Sequence, residues 1–173
     1  MRKYGFLSVL SLMLFACQEE QAPVPAIDWS QEKSSNFSKN VAIDEDLDIK
    51  MYLEQRKSWQ MIETGSGLRY FIYQKGTGEK AASGMIAEVK FDISLLDGTK
   101  CYKTENGETE TFKIDRSEIE TGVQEGIKYM RVGDKAKFIV PSHLGHGLSG
   151  DFEKIPPLTT LVIDLELVAL SVK

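Results

Sequence analysis

Gly122-Val123-Gln124-Glu125-Gly126-Ile127-Lys128-Tyr129-Met130-Arg131-Val132-Gly133-Asp134 runs directly into Lys135-Ala136-Lys137-Phe138-Ile139-Val140. Apolar residues recur at Ile119, Val123, Ile127 and Met130, the spacing of one helix face. The period then drops to two, with Ala136, Phe138 and Val140 alternating with Lys135, Lys137 and Ile139. A single helix of this kind needs a sheet to cover its apolar side. Strands to build one lie on both flanks. Upstream, Val89, Phe91, Ile93 and Leu95 alternate with Glu88, Lys90, Asp92 and Ser94, and Asp97-Gly98 then gives a strong short hairpin signal. Downstream, Leu161, Ile163, Leu165 and Leu167 alternate again. The sum is an α+β domain: an antiparallel β-sheet wrapped around one short helix.

The chain has 173 residues, 42% of them hydrophobic and 27% charged, enough for one domain with a real core. Its net charge of -5 and pI near 5.2 argue against nucleic acid as a partner, because phosphate binding needs a clustered basic face. The nearest approach to one, Lys135 and Lys137, reads as the wet face of a strand.

Residues 1–16 read as a processing signal. Arg2-Lys3 supply a positive start, and Phe6 to Phe15 form an apolar stretch too short to span a bilayer as a mature helix. The stretch ends in Leu14-Phe15-Ala16-Cys17, which resembles a bacterial lipobox, with Phe15 bulkier than that pattern usually carries. The resemblance implies lipidation of Cys17 and a membrane anchor. Cys101 is then left without a disulfide partner, a free and buried thiol.

Residues 17–43 are polar and Ser-rich, with Pro23 and Pro25, and read as a flexible tether. Gln18-Glu19-Glu20-Gln21 directly behind Cys17 resembles surface-export signals of some Gram-negative lipoproteins; a merely solvating linker explains it equally well. Over 44–64 the pattern predicts an N-terminal helix. Asp44-Glu45-Asp46 load its start with negative charge, and Leu47, Ile49, Met51, Leu53, Trp59 and Ile62 supply apolar contacts. One short helix offers little area for a stable dimer, so packing on its own domain and a monomer are expected.

From Gly65 to the C-terminus the dispersed landmarks resemble the FKBP-type peptidyl-prolyl isomerases. They are Asp97-Gly98, Glu125-Gly126 with Met130, Val132-Gly133-Asp134, Pro141, Gly147, Ile155-Pro156-Pro157 and the closing strand Leu161 to Leu167. The resemblance implies an FKBP-like domain over 65–173 that rotates Xaa-Pro bonds of proline-containing polypeptides, with no cofactor and no metal. With the lipobox, tether and helix ahead of it, the whole arrangement is similar to the gliding-motility-associated FKBP lipoproteins. That implies a cell-envelope location facing the periplasm or the cell surface, with the outer membrane favoured.

The same resemblance assigns the proline pocket residue by residue. Phe91 stands for the usual tyrosine, keeping the ring and losing the hydroxyl. Cys101 stands where phenylalanine is common, and Tyr102 where aspartate often sits. Phe112 keeps an aromatic, Ile119 an aliphatic, and Glu120 occupies the position whose main-chain N–H grips a substrate carbonyl. Val123 replaces the tryptophan floor, His146 a tyrosine that would donate to substrate, and Ile163 a phenylalanine, while Ile155 is retained. Fewer rings imply weak or narrow turnover.

Without the resemblance, Phe91, Ile119, Val123 and Ile163 read simply as core of an α+β domain. His143 and His146 have a zinc-like His-x-x-His spacing but lie in a Pro/Gly/Ser-rich loop with no clear third ligand. Ser149 near His146 and Asp151 lacks a nucleophile elbow and an oxyanion hole. Two further readings stand beside the isomerase: a non-catalytic chaperone or binding module that uses the altered groove, and an accessory subunit of an envelope complex for gliding or secretion.

Overall fold

The alternating stretches Ile86–Leu95 and Leu161–Ser171 form the two longest strands, and they pair antiparallel from Ile86 opposite Ser171 to Leu95 opposite Leu161. The computed structural model describes residues 30–105 and 107–172. Within them the order is α1 (Gln31–Glu54), β1 (Ile62–Glu63), β2 (Arg69–Gln74), β3 (Ile86–Leu95), β4 (Lys100–Lys103), β5 (Glu110–Lys113), α2 (Thr121–Gly126), β6 (Lys135–Val140) and β7 (Leu161–Ser171). The seven strands form one antiparallel sheet ordered β1-β2-β6-β7-β3-β4, with β5 also paired to β3. The hairpin forms at Asp97-Gly98: Gly98 has φ +90°, and Asp97 Oδ1 accepts the Thr99 N–H at 2.8 Å.

The inner face of the sheet carries Val89, Ile93, Phe138, Ile163 and Leu165, which close over Val123, Ile127 and Met130 as one apolar cluster. The helix beneath is shorter than the sequence period predicts. α2 stops at Gly126 and continues as a 3-10 turn over Ile127–Tyr129, so Ile119 precedes the helix and Met130 follows it. What brings α2 so close to β6 is the absence of side chains at two positions one turn apart. A Cβ on Gly122 would sit 2.5 Å from Val140 Cγ1, and one on Gly126 would sit 2.9 Å from the Phe138 ring.

The Val132-Gly133-Asp134 landmark has a mechanical reading. The buried Asp134 carboxylate accepts the Gly76 N–H at 2.6 Å and the Arg131 N–H at 2.7 Å, tying the loop after β2 to the turn before β6. The Lys135–Lys137 face is half-buried and paired, Lys135 with Glu166 and Lys137 with Asp164.

The N-terminal helix corrects the sequence reading. It was expected over 44–64, with a flexible tether to 43, and instead runs from Gln31 to Glu54. Ser30 caps it by accepting the Lys33 N–H at 3.3 Å, and no Gly or Pro interrupts 31–54, so a helix forms without a continuous apolar stripe. Asp44, Glu45 and Asp46 therefore lie in its middle rather than at its start, and Glu45 and Asp46 act through contacts rather than through a helix dipole. Of the apolar residues expected to pack, Ile49 is 1% exposed, whereas Leu47, Met51 and Ile62 are more than half exposed. The helix does dock on its own domain. Asp46 takes a 2.5 Å hydrogen bond from Arg69, itself 5% exposed and also paired with Glu63 at 3.0 Å. Arg69, Ile139 and Val162 form one cross-strand row, so α1 crosses the outer face of the sheet there. Beyond Glu54 the chain turns, and Arg56 lies over the Tyr52 ring at 3.5 Å while Lys137 faces Trp59 at 5.4 Å. The processing signal at 1–16, Cys17 and the start of the tether lie outside the described residues. No helix among those described is long and apolar enough to cross a membrane.

Gly126→Ala is expected to destabilise the fold by about 1–3 kcal/mol through overpacking against Phe138. Gly65→Ala, with nothing within 4 Å of its added carbon, should stay within about 0.5 kcal/mol. Urea unfolding at constant slope checks the pair; equal midpoints would refute the close-approach argument.

Candidate active site

The concave side of the sheet and the start of α2 enclose a cavity of about 530 Å³. β3 contributes Val89, Phe91 and Ile93, β4 Tyr102, β5 Phe112, β7 Ile163 and Leu165, and α2 Val123. The approach to α2 adds Ile119 and Glu120, and the loop after β6 adds Gly145 and His146. Strand alternation explains the set. Val89, Phe91 and Ile93 are two apart on β3, and Ile163 and Leu165 two apart on β7, so each strand offers every second side chain to the same space.

Eight of the residues singled out in the sequence thus meet around one cavity: Phe91, Tyr102, Phe112, Ile119, Glu120, Val123, His146 and Ile163. Two do not. Ile155 is 2% exposed and Cys101 5% exposed, and both sit in the core rather than on the cavity wall. Burial raises the Cys101 thiol above its ordinary range, with the Asp151 charge adding to the effect. The thiol lies within weak hydrogen-bonding reach of the Thr99 and Lys154 carbonyls, at 3.9 and 3.8 Å. Sequence reasoning also missed a charged margin made by Lys103, Glu110 and Glu118. The signal was available: Glu110 is two residues before Phe112, and Glu118 two before Glu120.

The entrance to α2 is a well-held corner. Glu120 is the residue ahead of the helix, with φ -53° and ψ 131°, and its carbonyl accepts the Val123 and Gln124 N–H groups. Among the described residues no acceptor takes the Glu120 N–H, which leaves a main-chain donor at the cavity edge. The loop before it is fixed from below by buried Gln124. Its Oε1 accepts the Asp115 N–H at 2.7 Å, and its Nε2 donates to the Ser117 carbonyl at 3.0 Å. Across the mouth, His146 Nε2 lies 3.0 Å from Glu120 Oε1, so the side chain of Glu120 is engaged while its main chain stays open. His143 is turned elsewhere, to the Ser66 carbonyl at 2.9 Å.

A second clasp shapes the far side. Asp151 Oδ1 accepts the N–H groups of Glu153, Lys154 and Ile155 at 2.8–2.9 Å, and its Oδ2 accepts the Tyr102 hydroxyl at 2.5 Å. Desolvation alone would raise the Asp151 carboxyl; the Tyr102 and backbone hydrogen bonds outweigh it and hold the group well below the usual carboxylate range. The same bond to Asp151, before burial and the neighbouring charges, pushes the Tyr102 hydroxyl up. Tyr102 therefore works as a neutral donor that pins the loop to β4.

Because the folded-state value of Asp151 is depressed, its stabilising contribution is present at neutral pH and lost as pH falls through that value. Tyr102→Phe removes one cause, so the Asp151 carboxyl is expected to titrate at higher pH in the variant, read by carboxyl carbon NMR. An unchanged midpoint would show that the bond does not carry the depression.

The family model described as FKBP-type peptidyl-prolyl cis-trans isomerase matches residues 77–168. The FkpA isomerase of Aeromonas hydrophila is 39% identical over 109 residues, 62% of this chain and 40% of that protein. The crystal structure of FkpA from Escherichia coli superposes with a TM-score of 0.66 at 27% identity, covering 80% of this chain and 64% of that one. A peptidyl-prolyl isomerase from Pseudomonas syringae pv. tomato gives 0.61 at 25% identity, covering 70% and 90%. The chain spans well under two thirds of the curated FkpA relative's length. Over more than half of its own residues, with the sheet, the short helix and the cavity between them in place, the chain belongs to the FKBP-type peptidyl-prolyl cis-trans isomerase family.

Proposed function

We propose that this chain catalyses cis-trans isomerisation of Xaa-Pro bonds in the cavity above α2. The observation that carries the reading is the apolar enclosure formed by Phe91, Phe112, Ile119, Val123 and Ile163 beside an unengaged Glu120 N–H. Rotation about the peptide bond faces a barrier of ~18–20 kcal/mol, set by resonance that makes the planar amide more polar than its twisted form. No nucleophile, metal or general base is required. A water-poor pocket that holds the proline ring destabilises the planar state relative to the twisted one, and a donor placed on the substrate carbonyl orients the chain. Each 1.36 kcal/mol of that difference is a tenfold gain in rate. Val123 offers less surface than an aromatic floor, which supports slow or selective turnover.

The intended substrates are proline-containing polypeptides of the cell envelope, and the anchor is a lipidated Cys17 in a membrane, with the outer membrane favoured. Two features support this: the Leu14-Phe15-Ala16-Cys17 run behind a short charged-then-apolar leader, and acidic residues directly after it. Several acyl chains on one cysteine anchor firmly, each buried methylene contributing about 0.8 kcal/mol.

In a protease-free NMR exchange assay of Xaa-Pro peptides, the wild-type chain is expected to exceed the uncatalysed rate. Phe112→Ala should lower kcat/KM by roughly tenfold, the scale of losing one aromatic contact of about 1.4 kcal/mol, and Val123→Trp should raise it. Because Glu110 and Glu118 outnumber Lys103 on the margin, peptides with lysine before proline should be favoured over glutamate by about two- to fivefold at low salt, a preference that fades as salt rises. A wild-type rate equal to the uncatalysed one, with aggregation of an unfolded client still slowed, would replace the isomerase with a binding module. Metabolic labelling with an alkyne fatty acid tests the anchor: label is expected on the wild type and absent from Cys17→Ser, and an unlabelled wild type would refute lipidation.

A further inference from the structure

We propose that Glu45, on the N-terminal helix, is a positioning residue for the proline pocket: its carboxylate clasps both ends of the loop that brings His146 to the cavity. The activity arm of this inference rests on the isomerase reading above; the structural arm does not.

The loop spans 141–160 between β6 and β7 and contains only a 3-10 turn over Ser142–Leu144. A connection of that length and irregularity needs external ties to hold one shape. Glu45 supplies them at both ends. Its Oε1 accepts the Ser142 N–H at 2.8 Å and the Thr160 hydroxyl at 2.9 Å, and its Oε2 accepts the Ser142 hydroxyl at 2.7 Å. Ser142 and Thr160 are 2% and 4% exposed, so these charge-assisted bonds join buried donors to a half-buried carboxylate.

Ser142 is also the node from which the pocket end of the loop hangs. Its carbonyl accepts the Gly145 N–H at 3.0 Å and the Gly147 N–H at 2.8 Å, the two residues that flank His146. The Gly147 carbonyl in turn accepts the Leu158 N–H at 2.8 Å. A continuous path therefore runs from Glu45 through Ser142 to the backbone on either side of His146, and from His146 to Glu120 at the entry of α2. Glu45 is itself held in place by its helix, through Ile49 one turn on and the Asp46–Arg69 pair beside it. An element that touches no part of the cavity thus fixes the loop that forms one of its walls.

The test uses the full chain and compares Glu45→Ala, Glu45→Gln and Thr160→Val with Ile49→Ala, which weakens helix docking but removes none of the clasp's hydrogen bonds. Amide hydrogen exchange is expected to accelerate by about tenfold at Gly145, Gly147 and Leu158 in Glu45→Ala, on the scale of losing charge-assisted bonds. The His146 ring resonances should shift with it, and kcat/KM should fall by several-fold. Glu45→Gln, which keeps an acceptor for the Ser142 N–H, should recover most of the loss. Thr160→Val opens the clasp from the other side and should speed the same amides to a lesser degree, keeping the test usable if Glu45→Ala fails to fold. Ile49→Ala should lower the thermal midpoint yet speed those three amides by clearly less than Glu45→Ala does, because the Glu45 hydrogen bonds themselves are retained. Unchanged exchange and unchanged His146 resonances in a folded Glu45→Ala would overturn the proposal, as would an equal loop response to Ile49→Ala. A wild type without turnover would sink the isomerase reading alone, since exchange still decides the clasp.

Discussion

Van der Waals contact between α2 and β6 exists because Gly122 and Gly126 present no side chains to Val140 and Phe138. That approach sets the depth of everything above it. With the helix pressed against one part of the sheet, Ile127 and Met130 seal the core, and Val123 is left facing the space under β3 and β7. The cavity is the volume that the sheet and a helix of fewer than two turns fail to fill together. Its apolar character is inherited from core packing, which is why most of the residues lining it are also residues that any α+β domain would bury.

Around this apolar centre the irregular segments are fixed by a small number of polar hubs, each serving several donors. Asp134 joins the loop after β2 to the turn before β6, Gln124 holds the approach to Ile119 and Glu120, and Asp151 gathers three backbone N–H groups and the Tyr102 hydroxyl. Glu45 does the same from outside the domain's own loops. Buried polar side chains are costly unless satisfied, and among the described residues no buried side-chain nitrogen or oxygen lacks a partner. Loop shape here is a property of a few carboxylates and one amide rather than of the loop sequences alone.

Strands β3, β6 and β7 were legible because alternation is a local signal: Val89 to Leu95 and Leu161 to Leu167 can be read without knowing their partners, whereas the shorter β1, β4 and β5 carry too few residues to show it and β2 does not alternate. The helix position was legible, but its length was not, since Ile119 and Met130 keep the helical spacing while the backbone leaves the helix on either side. The pocket was legible only through the family resemblance, because Phe91, Ile119, Val123 and Ile163 carry no mark that separates a cavity wall from a core. Cys101 and Ile155, which the resemblance assigned to the pocket, are buried in the core and are not among the residues lining the cavity. The N-terminal helix was misplaced for a different reason. Its acidic triplet looked like a start signal, whereas Glu45 and Asp46 answer partners at Ser142, Thr160 and Arg69. Contacts across so many intervening residues leave no trace in a window of neighbouring residues.

The pairing of β2 with β6 bears on where this protein can be cut. The family match begins at residue 77, after β2 has ended at Gln74. A fragment trimmed to that boundary would strip the outer neighbour from Ala136, Phe138 and Ile139, turning an interior strand into an open, largely apolar sheet edge of the kind that recruits other chains. The stretch that the family model matches is therefore shorter than the sheet it belongs to, and β2 ahead of it supplies the neighbour that closes this edge of β6.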